Sequence, residues 1–149
     1  MDHIEELKYD CLKLDRQLCF PLYAASRKVI GQYTGLLDRI GLTYTQYVVM
    51  MVLWEEKTVS VKDLGKRLYL DSGTLTPLLK SMEKRGLVTR ARSKADERVV
   101  EISLTEEGEA LREDAVSVPP QVAACVRLKP EEAGELYILL HKLLASFEE

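Results

Sequence analysis

At Gly86 the apolar spacing of this chain changes period, and the change limits the folds open to it. Before Gly86 apolar residues recur at three and four, as one face of an α-helix requires. After it, Leu87 to Ala91 and Val99 to Leu104 read as short β-type runs, joined by the polar stretch Arg92 to Arg98. Two strands with a charged tip make a wing. Two short helices precede it, each with its own start signal. Ser60 and Asp63 form an S-x-x-D start leading through Leu64 and Leu68. A turn follows at about Tyr69 to Asp71, and Asp71 can cap a further helix carrying Leu75, Leu78, Leu79 and Met82, which Gly86 is placed to stop. Pro77 leaves two readings of that helix: a start nearer Thr74, or a bend where the carbonyl of Gly73 loses its partner.

Two short capped helices followed by a two-stranded wing form the pattern of a winged helix-turn-helix, whose second helix enters the DNA major groove while the wing reaches the backbone or minor groove. The fold expected is mainly α with a small β-wing. Outside this lobe, a long helix starts near Cys19 or Phe20, fixed by Pro21 in its first turn, with Leu22, Val29, Ile30, Tyr33, Leu36, Leu37 and Ile40 along one face. Thr43 and Gln46 make a T-x-x-Q capping box before the apolar run Tyr47 to Trp54. Thr105, with Glu106 and Glu107 behind it, opens a helix that must break by Pro119 and Pro120. A last helix runs from about Pro130 through Leu136, Leu139, Leu140, Leu143, Leu144 and Phe147. The reading-lobe does not need these flanking helices. They are assigned to a homodimer interface, with intrachain core as the alternative for the terminal leucine stripe. The division is therefore one unit over 1–149, with 18–42 and 105–149 dimerising and 43–104 binding DNA.

A net charge of −3 would by itself speak against nucleic acid, but its distribution is uneven. Residues 57–98 carry 11 Lys or Arg against 5 Asp or Glu, whereas residues 99–149 carry 4 against 11. Phosphate neutralisation needs local positive charge, so a basic middle between acidic ends suits a duplex-binding lobe. A solvated helical face with a chance excess of lysine is the plainer alternative. No apolar run is long enough for a membrane span, and Met1 to Asp10 has neither the basic start nor the apolar stretch of a secretory signal, so a cytoplasmic address is expected. Cys11, Cys19 and Cys125 form no C-x-x-C pair and lie far in sequence from His3 and His141, which argues against a disulfide framework or a zinc site. No cofactor is called for.

Four stretches then carry a resemblance: Leu18 to Arg27 (LCFPLYAASR), Leu42 to Tyr47 (LTYTQY), Leu70 to Lys80 (LDSGTLTPLLK) and Asp96 to Arg98 (DER). Together they resemble the organic-hydroperoxide-sensing branch of the MarR repressors, over roughly Leu18 to Leu111. The resemblance implies that Cys19 is the peroxide-reactive cysteine, with Tyr23 and Tyr33 at positions whose hydroxyls bond its thiolate across the dimer. A helix N-terminus favours negative charge, which independently supports a thiolate there, and apolar Leu18, Phe20 and Leu22 favour an alkyl or fatty-acid hydroperoxide. For DNA, the family-like positions are Ser72, Thr74, Thr76 and Lys80 of the recognition helix and Arg98 of the wing, with Asp96 orienting Arg98. Pseudo-palindromic, A·T-rich double-stranded operator DNA is the implied partner. Some members of the branch use a second cysteine in the other subunit, and Cys125 falls in the corresponding region. A mixed disulfide with a small thiol and an inert Cys125 remain open, and Cys11 lies outside the pattern. Two rivals stand beside this reading. One is a MarR-type repressor relieved by a small aromatic ligand. The other is a thiol peroxidase or cysteine hydrolase, for which no matching histidine constellation is present, so no enzymatic activity is expected.

Overall fold

The computed structural model describes residues 7–148. His3 and most of the acidic N-terminal stretch lie outside them. The long first helix α1 spans Cys19–Asp38, followed by α2 (Tyr44–Glu56), strand β1 (Thr58–Ser60), α3 (Val61–Leu68), α4 (Ser72–Lys84), the wing strands β2 (Val88–Arg92) and β3 (Val100–Leu104), α5 (Glu106–Ala115), α6 (Val118–Cys125) and α7 (Pro130–Ala145).

Side-chain caps set the boundaries. Thr43 Oγ1 accepts from Gln46 N–H at 3.2 Å while Gln46 Oε1 accepts from Thr43 N–H at 3.1 Å, completing the capping box that starts α2. Ser60 caps α3 at 3.0 Å, Asp71 caps α4 at 2.7 Å and Thr105 caps α5 at 3.0 Å. At the far end of α4, Gly86 takes φ +77°, a conformation cheap only for glycine, and turns the chain into the wing. Pro77 lies inside α4, which nevertheless begins at Ser72. The early start of the two readings is the one realised, because the Asp71 cap secures the first turn and Pro77 removes a single bond, that to the carbonyl of exposed Gly73.

The sheet has three strands, antiparallel in the order β1-β3-β2, with Val59 opposite Ile102 and Arg90 opposite Ile102 on the other side. The two wing strands sit one residue later at their starts than the sequence pattern indicates, and β1 is additional to it. Three residues are too few for a period to show, and β1 exists because β3 offers it a pairing edge.

The core fills the lobe between α2 and the wing. Val49, Met50 and Leu53 of α2, Leu64 of α3, Leu75, Leu79 and Met82 of α4, and Val88 and Ile102 of the sheet are all essentially inaccessible. Each such side chain contributes about 1.5–3 kcal/mol of burial. Trp54 Nε1 donates to Gly108 O at 2.8 Å, tying α2 to α5, and Thr105 Oγ1 donates to Gly86 O at 2.6 Å, tying α5 to the end of α4.

The terminal helices contrast with this lobe. In α7 no residue is buried, and Leu136, Tyr137, Ile138, Leu139 and Leu143 all stand exposed. Of the leucines of the terminal stripe only Leu140 and Leu144 are partly covered, and none is buried. The helix also ends at Ala145, leaving Phe147 outside it and exposed rather than on its apolar face. In α1 only Leu37 is buried, where the helix joins the core, and α6 packs against α1 through buried Val118 and Val122.

Candidate redox and nucleic-acid sites

Cys19 occupies the first turn of α1, where Pro21 costs no hydrogen bond because the first N–H groups of a helix have no intrahelical acceptor. Its side chain is exposed, as are Leu18, Phe20 and Leu22 around it. Tyr23 lies one turn further on the same face, 58% exposed, with the Arg27 guanidinium 5.2 Å from its ring centroid. Tyr33 cannot serve the same Cys19. Fourteen residues at 1.5 Å of rise separate them by about 21 Å along α1.

Instead Tyr33 meets two tyrosines of α2. Its ring lies edge-on to Tyr44 at 4.9 Å and tilted against Tyr47 at 5.8 Å, with Tyr47 in turn against Trp54 at 6.4 Å. Burial raises the Tyr33 phenol above its usual value; burial first and then Tyr33 raise Tyr44; burial, Tyr33 and Tyr44 raise Tyr47. All three stay protonated, and hence hydrogen-bond donors, throughout the neutral range. Tyr44 was not singled out from the sequence. Its spacing after Leu42 was visible, but its pairing with Tyr33 depends on how α1 crosses α2.

Cys125 ends α6 and donates a 3.4 Å thiol bond to Gln121 O; Cys11 makes a similar contact to Lys8 O at 3.6 Å. All three cysteines are free and exposed. Among the described residues no group of three or more His, Cys, Asp or Glu is arranged to hold a metal, and no helix is long and apolar enough to cross a membrane.

On the reading side, Ser72, Thr74 and Lys80 of α4 are exposed and Thr76 is half-buried at the flank of the apolar face. The same outer face carries Lys84, which the sequence reasoning passed over although it lies one turn beyond Lys80. The wing tip is held by its own bonds: Ser93 N–H to Val99 O at 2.7 Å, Val99 N–H to Asp96 O at 3.0 Å, and Arg92 Nη1 to Glu97 O at 2.7 Å. Asp96 clasps Arg98 in a fork, accepting from Nε at 3.1 Å and from Nη2 at 3.2 Å, and accepts the Arg98 backbone N–H at 3.0 Å. Those bonds hold the Asp96 carboxyl below its usual value and fix the direction of a guanidinium that is 90% exposed.

The family model for the transcriptional regulator SarA/Rot matches residues 32–115. The chain is 49% identical over 144 residues to the organic hydroperoxide resistance transcriptional regulator of Bacillus subtilis (strain 168), covering 97% of this chain and 98% of that one. Among solved structures it is similar to reduced AbfR bound to DNA, with TM-score 0.77 and 34% identity, covering 95% of this chain and 96% of that one. It is also similar to the disulfide form of AbfR, a protein of Staphylococcus epidermidis, with TM-score 0.64 and 36% identity, covering 94% and 98%.

Proposed function

The chain belongs to the MarR-type transcriptional regulators, in the branch that senses organic hydroperoxides, and from that premise we propose that it is a dimeric repressor with Cys19 as its sensor. The Cys19 thiolate attacks the outer oxygen of an organic hydroperoxide. The O–O bond breaks, an alcohol leaves with a proton, and the sulfur, oxidised by two electrons, becomes a sulfenic acid. A thiol then displaces water to form a disulfide. We assign that thiol to Cys125 of the partner subunit, with a small cellular thiol as the competing route.

Dimerisation through 18–42 and 105–149 is supported by the exposed apolar surfaces of α1 and α7, which a single chain leaves in water. It also gives Tyr33 a purpose: too far from the Cys19 of its own helix, its protonated phenol is a donor for the partner's Cys19. Two reading lobes related by a twofold axis suit a pseudo-palindromic operator with half-sites about 34 Å apart. Ser72, Thr74, Thr76 and Lys80 then face the major groove or its phosphates, and Arg98 enters a narrow A·T-rich minor groove with Asp96 setting its angle. A new covalent bond at the start of α1 disfavours the DNA-bound arrangement of the lobes. Switching occupancy from nearly full to nearly empty takes a differential of about 5.5 kcal/mol, within reach of such a bond.

The observation that carries this reading is the free, exposed Cys19 in the first turn of an uncovered dimerisation helix. Its test is intact mass without reductant after one equivalent of cumene hydroperoxide. A covalent dimer lost in both Cys19→Ser and Cys125→Ser establishes the two-cysteine sensor. An adduct at Cys19 without a cross-link assigns the small-thiol route, and an inert Cys19 removes the redox reading.

A further inference from the structure

Along α1, Cys19, Tyr23 and Arg27 follow one another at intervals of four, so their side chains stand in one row, with the cysteine at the helix start and the arginine two turns on. The Arg27 guanidinium lies 5.2 Å from the Tyr23 ring centroid, so this side chain reaches back along the helix toward Cys19. Resting on the reading of Cys19 as a hydroperoxide sensor, we propose that Arg27 binds the carboxylate of a hydroperoxide that carries one, so that the sensor responds to a fatty-acid hydroperoxide as the free acid in preference to its ester.

The surroundings leave this guanidinium uncommitted. It is exposed and forms no ion pair among the described residues. The elements packed against α1 bring it no carboxylate: α6 has none, and Glu55 and Glu56 of α2 are engaged by Arg67. On α1 itself the one acid is Asp38, about three turns further on. The neighbouring cations are placed otherwise. Lys13 and Arg16, just before Cys19, are both held by Asp10, at 2.7 and 2.8 Å, and Lys28 leaves the helix about 100° round from Arg27. The ring of Tyr23 steadies the guanidinium, whose planar N–H donors form a fork matched to the two oxygens of a carboxylate.

The chemistry of the ligand follows from what lies between the two ends of this row. Eight residues at 1.5 Å of rise separate Cys19 from Arg27 by about 12 Å, a span that the back-reaching side chain shortens. Beside it stand exposed Phe20 and Leu22 and the Tyr23 ring, an apolar bed. A molecule that fills the row has a hydroperoxyl group at the sulfur, hydrocarbon along the bed and a carboxylate several carbons away at the guanidinium. A hydroperoxide without a carboxylate reaches Cys19 but offers nothing to Arg27. Arg27 takes no part in breaking the O–O bond and acts by holding the far end of the molecule.

The test offers the reduced, full-length protein three hydroperoxides, that of oleic acid, that of its methyl ester, and cumene hydroperoxide, each below the concentration at which it aggregates. The rate of Cys19 oxidation is read by quenching with an alkylating reagent and weighing the Cys19 peptide. The wild type is expected to react with the acid about fivefold faster than with the ester, the upper end for an exposed ion pair, and the ratio should shrink as salt is added. Arg27→Gln is expected to bring the ratio to unity, while Arg27→Lys, which keeps the charge but not the fork, retains part of it. A wild-type ratio of unity overturns the assignment, as does a ratio that survives in Arg27→Gln. Equal slowing of all three hydroperoxides in Arg27→Gln means that the charge acts on the thiolate itself and overturns it as well. A Cys19 inert toward cumene hydroperoxide removes the sensor reading, whereas one that reacts with it but does not separate acid from ester removes only the role of Arg27.

Discussion

Gly108→Ala is expected to destabilise this chain by about 3 kcal/mol, although alanine is the better helix former. In an ordinary helix interior the exchange gains about 0.8–1 kcal/mol. At this position in α5 the added Cβ would stand 2.7 Å from Leu104 Cδ1 and closer still to Leu87 O, a backbone atom that cannot rotate away. Ordinary contact begins at 3.4 Å, and because the nearest atom is the fixed Leu87 O, α5 must lift from the root of the wing by about 1 Å. Overpacking of this kind costs about 1–3 kcal/mol. The lift also stretches the buried bond from Trp54 Nε1 to Gly108 O, whose loss costs about 1–3 kcal/mol more. The losses exceed the gain in propensity across nearly all of that range. The single tryptophan, Trp54, is itself the probe, so urea unfolding followed by its fluorescence at fixed protein concentration reads the change where it arises. A second urea series in a Trp54→Phe background, followed by far-ultraviolet circular dichroism because the fluorescent probe is gone, should show a smaller penalty, since part of the cost is the bond to the indole. A Gly108→Ala midpoint equal to or above the wild type would refute the packing argument.

Arg98→Ala is expected to weaken operator binding by more than about tenfold, the loss of one oriented groove contact; unchanged affinity at moderate salt would remove the wing assignment. Asp96 has its folded pKa held below the usual 3.8 by the Arg98 bonds, so the clasp is intact above that value and opens as pH falls through the lower folded one. A carboxylate titration by NMR should show that depressed midpoint, and Arg98→Ala should return it to the ordinary value; identical midpoints in the two proteins would contradict the clasp. Leu139→Asp places an unpaired charge on the face assigned to the partner and should raise the dimer dissociation constant more than about a hundredfold in sedimentation equilibrium, whereas an undisturbed dimer would move the interface elsewhere.

What the sequence made legible was local chemistry. Thr43, Ser60, Asp71 and Thr105 each bond an N–H three residues ahead, an interaction written within one turn of chain, and Thr43, Ser60 and Thr105 start their helices where the pattern said. Asp96 and Arg98 are two residues apart, so their clasp was legible too. Long-range features were not. Strand β1 depends on an edge of β3 more than forty residues away, and the Tyr33–Tyr44 pair depends on the crossing of two helices. The Pro77 ambiguity came from a real competition between a cap that favours an early start and a ring that forbids one hydrogen bond.

The uncovered helix α7 carries one more implication. A sixteen-residue helix that leaves Leu136, Tyr137, Ile138, Leu139 and Leu143 in water, with no residue buried by its own chain, has no low-energy place in a solitary protomer. If a second copy supplies that place, folding of the terminal helices and encounter between chains become one second-order event. The melting temperature then depends on how much protein is present, and dilution acts as a denaturant. A sensor built in this way has a lower limit of abundance below which it is not merely sparse but incompletely folded, so each newly made chain stabilises those that preceded it.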